Sequence, residues 1–131
     1  MPTFDLKDRT RALALAVIRL VEAYPRSRTA EVVGRQLLRS ATSVAANYRS
    51  ACRARSRRDF IAKMAIVEEE ADETQFWLEL SADASLADRR IIDPLRGESG
   101  ELTAIVVASI RTARQGHRAI PHSAFRIPHS R

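Results

Sequence analysis

Four stretches of this chain repeat apolar residues at steps of three and four, and no stretch alternates apolar with polar residues as a half-buried strand would. That periodicity predicts an all-α fold. Leu6, Leu13, Val17, Leu20, Val21 and Tyr24 form the first stripe, over about residues 5–24, and Pro25 ends it. Thr29 is the expected N-cap of a second helix that runs to about Arg53, with Val33, Leu37, Ala41, Val44 and Ala51 facing inward. Gln36, Ser40, Ser43 and Asn47 share that inward face, where amides and hydroxyls need partners. Ser56 and Asp59 read as a capping box opening a third helix to about Ala84, striped by Phe60, Met64, Val67, Ala71, Thr74 and Leu78. Ile66, Trp77 and Leu80 lie off that stripe and give the helix a second apolar edge. Asp93-Pro94, a cap followed by a proline suited to the first helical position, predicts the start of a fourth helix. That helix carries Leu95, Leu102, Ile105, Val106 and Ile110 and ends near Gly116; Gly97 and Gly100 weaken its first turns.

Four helices with short connections predict an antiparallel up-down-up-down four-helix bundle around one core, over residues 1–118. Beyond it, Ile120-Pro121-His122-Ser123 recurs as Ile127-Pro128-His129-Ser130, and two prolines without an apolar period predict an extended tail over 119–131. A length of 131 residues suits a single domain. Cys52 is the one cysteine, so no intramolecular disulfide forms. The N-terminal residues carry charges where a signal peptide needs an apolar run, and no run reaches membrane-spanning length. The expected setting is the cytoplasm, away from membranes.

The net charge of +6 is unevenly spread. Residues 26–63 hold ten cations against Glu31 and Asp59, whereas residues 64–101 hold eleven carboxylates against Arg89, Arg90 and Arg96. In an antiparallel hairpin, residue 39 falls opposite about residue 71, so Arg35 and Arg39 can reach Glu70, Asp72 or Glu73. Arg53, Arg55, Arg57 and Arg58 sit instead at the corner, roughly 15–20 Å from the glutamates at 1.5 Å per residue. That exceeds a Debye length of about 8 Å. The bundle topology brings Lys7, Arg9 and Arg11 to the same end, with Arg111, Arg114 and Arg118. With Arg49 and Lys63 added, the end holds twelve cations against Asp5, Asp8 and Asp59. Such an end suits phosphate backbones, which arginine grips bidentately, and without interleaved aromatics the contact is expected to ignore base sequence.

Catalytic and metal chemistry find little support. The cluster Glu68, Glu69, Glu70, Asp72 and Glu73 would need histidines from facing helices to make a bundle metal site. His117, His122 and His129 all lie at or beyond the end of the fourth helix. No glycine-rich phosphate loop and no Ser/His/Asp arrangement occurs. The expectation is a protein without cofactor, metal site or enzymatic activity.

The run Gln36-Leu37-Leu38-Arg39-Ser40-Ala41-Thr42-Ser43-Val44-Ala45-Ala46-Asn47 resembles the signature of a bacterial four-helix bundle family. Its members include proteins encoded in intervening sequences of large-subunit rRNA genes and the accessory variability protein of diversity-generating retroelements. The resemblance continues through Arg55-Ser56, Asp59-Phe60, Met64, Ile66 and Glu73 and spans roughly residues 5–115. It implies a polar family motif of Gln36, Arg39, Ser40, Ser43, Asn47 and Glu73. It implies a ring-like homopentamer, with the edge at Phe76 and Trp77 as a subunit contact. It also implies a basic, non-enzymatic protein; in the retroelement branch the family member binds nucleic acid and a reverse transcriptase. Two departures stand out: Tyr48-Arg49-Ser50-Ala51 replaces the usual Ile-Ala-Glu-Gly, and Glu69-Glu70 replaces the usual Gly-Ser. Together they suggest a buried ion pair in which Arg49 reaches Glu69 or Glu70.

The sequence thus predicts a homo-oligomeric bundle that binds RNA or DNA backbone through Arg53, Arg55, Arg57 and Arg58, supported by Arg111, Arg114 and Arg118. The rival is a homo-oligomeric protein-interaction adaptor without nucleic-acid binding.

Overall fold

Each helix begins at a short polar side chain that accepts a free backbone N–H, which is how a chain with few glycines and prolines marks its helix ends. In the computed structural model, which describes residues 5–116, Asp5 accepts from the Lys7 amide at 2.9 Å and opens α1, Leu6–Glu22. Ser27 accepts from the Ala30 amide at 3.1 Å and opens α2, Arg28–Ala51. Ser56 accepts from the Asp59 amide at 3.0 Å and opens α3, Arg57–Asp83. Asp88 accepts from the Arg90 amide at 2.8 Å and opens α4, Arg89–Gln115. Five-residue connections join the helices into an antiparallel bundle, and the described residues contain no strand.

Two helix starts differ from expectation. Ser27, in extended backbone, caps α2 two residues ahead of Thr29, which lies inside the first turn. α4 begins at Asp88 rather than Asp93, and Pro94 stands within its second turn. Pro94 cannot donate the bond that the Arg90 carbonyl would otherwise accept, and it stands on an exposed face where water can take that place. Asp88 prevails because α3 ends in a tight reversal immediately before it. The Leu86 amide bonds the Ser81 carbonyl at 2.9 Å and the Ser85 amide bonds the Ala82 carbonyl at 3.0 Å, the double bond of a Schellman cap. The cap holds Ser85 at φ 58°, in the left-handed region that favours glycine.

The core falls into two clusters. One draws on all four helices: Leu13, Val17 and Leu20 of α1, with Tyr24 just beyond it, meet Leu37 and Ala41 of α2, Leu78 of α3, and Ile92 and Leu102 of α4. The other lies toward the α2–α3 corner, where Val44 and Ala51 meet Met64, Val67, Ala71, Val106 and Ile110, and α1 contributes no buried residue to it. Between them lies a level of small side chains. The hydroxyls of Ser40 and Thr74, both fully buried, meet at 3.0 Å, and the Ser99 hydroxyl donates to the Ala71 carbonyl at 2.8 Å. Hydroxyls bonded in this way satisfy themselves while letting three helices approach closely. The inward stripes expected on all four helices are observed, but Gln36, Ser43 and Asn47 are only half-buried and flank the core.

Ser85 generates a stability prediction. Left-handed backbone costs a non-glycine residue on the order of 1 kcal/mol. Ser85→Gly is therefore expected to stabilise the protein by up to about 1 kcal/mol, raising the melting temperature by a few degrees in thermal unfolding followed by circular dichroism.

Candidate nucleic-acid interface

The last turns of α2 are polar outside and packed inside. Ala51 and Cys52 are buried, and Tyr48 lies against the corner cluster, so Arg49, Ser50 and Arg53 are left to the surface. Burial and the neighbouring Cys52 thiol push the Tyr48 hydroxyl well above the usual phenol range, so it stays neutral. The chain then turns through the Arg53 and Ala54 amides, which bond the Ser50 and Ala51 carbonyls at 3.0 Å. The expected capping box forms with one change. The Asp59 carboxylate reaches past the cap to accept from the Arg55 amide at 3.2 Å, and it also takes Lys63 at 3.0 Å. Lys63, then the Arg55 amide, hold the Asp59 carboxyl below its usual range.

This local geometry opens two grooves on either flank of α2. The corner groove, about 780 Å³, is lined by Ala46, Arg49, Ser50, Arg53, Arg55, Ser56, Asp59 and Lys63. The second, about 650 Å³ and set between α1 and α2, shares Ala46, Arg49 and Arg53 and adds Lys7, Asp8 and Arg11. The two grooves together present six cations against two carboxylates. The guanidinium groups of Arg49, Arg53 and Arg55 have no carboxylate within 4.0 Å among the described residues.

The residues expected to bind nucleic acid are thus only partly gathered. Arg53 and Arg55 line the corner groove. Arg57, half-buried, and Arg58, exposed, open α3 outside its lining. Arg111 and Arg114 are exposed on the last turns of α4 and line neither groove, and Arg118 lies outside the described residues. Arg9 leaves the basic set: its guanidinium grips Glu98 at 2.7 and 2.9 Å and also bonds Glu101, tying α1 to α4. Those bonds hold its charge more firmly still. Lys7, Arg11, Arg49 and Lys63, which the sequence assigns to the basic end without choosing them as binding residues, also line the grooves. The signal for the first two is their spacing of four, which sets them on one face of α1.

The suggested ion pair from Arg49 to Glu69 or Glu70 is not formed. Glu70 is taken by Arg39 at 3.2 Å, Glu69 is exposed, and Arg49 faces the grooves. The hairpin register explains the correction: Arg39 stands opposite Glu70, so Arg49 lies ten residues, about 15 Å, farther along α2. The expected contact of Arg39 with the glutamates is observed. The Arg39 guanidinium donates to the Gln36 side-chain oxygen at 3.3 Å and pairs with Glu70 and Glu73, and the Trp77 indole donates to Glu73 at 3.0 Å. The Trp77 bond, and then Arg39, hold the Glu73 carboxyl below its usual range. Within the family motif, therefore, Ser40 is core, Gln36, Arg39 and Glu73 form a flanking network, and Asn47 bonds the Ser43 carbonyl and hydroxyl at 2.9 and 2.8 Å. Phe76 is 51% exposed and meets the half-buried Trp77 edge-on at 4.9 Å. Among the described residues, no three His, Cys, Asp or Glu side chains converge as metal ligands, and no helix is long and apolar enough to cross a membrane.

Four antiparallel helices joined by five-residue turns, carrying a grooved basic corner, define a helical-bundle protein. The family model described as 23S rRNA-intervening sequence protein matches residues 3–108, and the chain belongs to that family. It is similar to a protein of unknown function from the S23 ribosomal protein family of Bacteroides thetaiotaomicron VPI-5482, known from a 1.70 Å crystal structure. The two share 34% identity over 81% of this chain and 98% of that one, with a TM-score of 0.75. No curated protein matches the sequence.

The Glu73 network gives a pH prediction. A carboxyl held below its ordinary value of 4.5 contributes stability above that pH and loses it as pH falls through the lower folded value. Glu73→Gln is expected to lower stability near neutral pH by less than about 1 kcal/mol, since the pair is largely exposed. The difference from the parent protein should vanish in acid, as measured by denaturant unfolding across the acid range.

Proposed function

We propose that this protein is a non-enzymatic, homo-oligomeric binder of nucleic-acid backbone, RNA or DNA, acting in the cytoplasm through its α2–α3 corner. The observation that carries this reading is the convergence of Arg49, Arg53 and Arg55 on one groove with no carboxylate within 4.0 Å of their guanidinium groups among the described residues. Cations kept apart from internal partners are available to phosphates, and the counterions released on binding supply the affinity. Arg58, Arg111 and Arg114, exposed on the neighbouring turns, add to the positive field. The groove offers guanidinium and ammonium groups with small side chains between them, which suits backbone contact rather than base readout.

The oligomer is supported by the second edge of α3. Ile66, Phe76 and Leu80 are exposed there, with Trp77 beside them, and large apolar side chains grouped on one helix face mark an interaction surface. A ring-like homopentamer, as the family resemblance implies, would set five basic corners on one assembly and raise a weak contact into avid binding. The same edge favours a second reading, an adaptor whose α3 face docks a protein partner such as a reverse transcriptase, with the arginines serving solubility.

Two measurements separate these readings. Arg53→Glu/Arg55→Glu/Arg58→Glu is expected to abolish nucleic-acid binding in an electrophoretic shift assay while light scattering shows an unchanged oligomer. The parent protein's affinity should fall steeply with salt; absence of any RNA or DNA binding at about 50 mM salt would leave only the adaptor. Phe76→Glu is expected to dissociate the oligomer and weaken binding about tenfold or more through lost avidity.

A further inference from the structure

The last turns of α2 form a ridge with a cationic groove on each flank. On one side, Lys7 and Arg11 of α1 face Arg49 of α2 and Arg53 of the turn that follows it, with Ala14, Ala45 and Ala46 also in the lining. Lys7 and Arg11, four residues apart on α1, stack about 6 Å from one another. Asp8 is the one carboxylate in that lining. On the other side, Arg55 and Lys63 join the same two arginines in the corner groove. Neither lining includes an aromatic side chain. Proteins that hold single strands stack bases on aromatic faces along a basic track. These grooves accept phosphates and give bases no such platform.

The grooves lie on either side of the ridge formed by Ala46, Arg49 and Arg53, which lines both. An α-helix with its side chains is about 10–12 Å across. The backbones bordering the major groove of B-form DNA are about 12 Å apart. The geometry points to a double-helical ligand straddling the end of α2. Phosphates of one strand lie in the α1–α2 groove between Lys7 and Arg11 and the α2 arginines. Phosphates of the other strand lie in the corner groove, and Arg49 and Arg53 stand between the two. This rests on the nucleic-acid reading above and adds to it the form of the ligand and two residues of α1 outside the corner.

The test is fluorescence anisotropy of the full chain with a labelled DNA duplex and with one of its strands alone, over a salt series. The duplex carries one charge per about 1.7 Å of axis and the single strand one per about 3.4 Å, so the duplex is expected to bind about ten times more tightly. Lys7→Glu/Arg11→Glu should weaken duplex binding about tenfold and reduce the salt slope by about two. Lys7→Gln/Arg11→Gln should act in the same direction with a smaller loss, and it carries the test if the glutamate pair melts early by circular dichroism. Equal or tighter binding of the single strand overturns the proposal. So does a duplex affinity and salt slope that the α1 variants leave unchanged while Arg53→Glu/Arg55→Glu abolishes binding; in that case the nucleic-acid reading survives alone. If neither duplex nor strand binds the parent protein at about 50 mM salt, both fall.

Discussion

Ser40 and Thr74 meet hydroxyl to hydroxyl at 3.0 Å in the middle of the bundle, and that contact ties α2 to α3 at one register. Both side chains are fully buried, and each also bonds its own helix, Ser40 to the Leu37 carbonyl at 3.1 Å and Thr74 to the Glu70 carbonyl at 2.7 Å. A slip of the hairpin would forfeit the bond between them, about 0.5–1.5 kcal/mol, and set mismatched side chains at the closest approach of the two helices. The same register sets Arg39 opposite Glu70 and Glu73 and leaves the Arg49 and Arg53 guanidinium groups with no carboxylate within 4.0 Å among the described residues. The helix register thereby settles which of these surface charges are cancelled and which are available.

Charge is managed differently at different levels of the molecule. Near the hydroxyl level, cation and carboxylate pair across helices: Arg39 with two glutamates of α3, and Arg9 with two of α4. These pairs lie on the flanks, where solvent screening keeps their energetic value modest. At the corner Lys63 pairs with Asp59, whose carboxylate also serves the helix start. Asp59 thus joins two tasks, fixing the turn and moderating the charge of the groove that the turn creates.

The fold was largely legible because an amphipathic stripe depends on spacing that is visible along the chain. Val33, Leu37, Ala41 and Val44 are buried, as their spacing requires. The start of α4 was less legible: Asp93-Pro94 has the stronger local pattern, but the tight turn at Ser85 brings Asp88 into the capping position first. The place of Arg39 was legible from hairpin register alone. The same arithmetic, applied to Arg49, excludes the suggested pair with Glu69 or Glu70; comparing motifs residue by residue hid the distance between them. The α1–α2 groove was hardest to foresee, because it depends on which faces of two separate helices come together. Topology places Lys7 and Arg11 at the basic end, but that they face Arg49 and Arg53 across a groove appears only when α1 is laid against α2.

The division of the core has a consequence for how the molecule yields. α1 is anchored in only one of the two clusters, whereas α2, α3 and α4 share both. Separate clusters let a protein open in parts rather than all at once, and the part with fewer anchors opens at lower free energy. The N-terminal half of α1, near the corner, is therefore the seam of the bundle, held to α4 by the clasp of Arg9 on Glu98 and Glu101. One wall of the α1–α2 groove belongs to that seam and the other to the rigid three-helix body, so the groove can adjust its width while the corner keeps its shape.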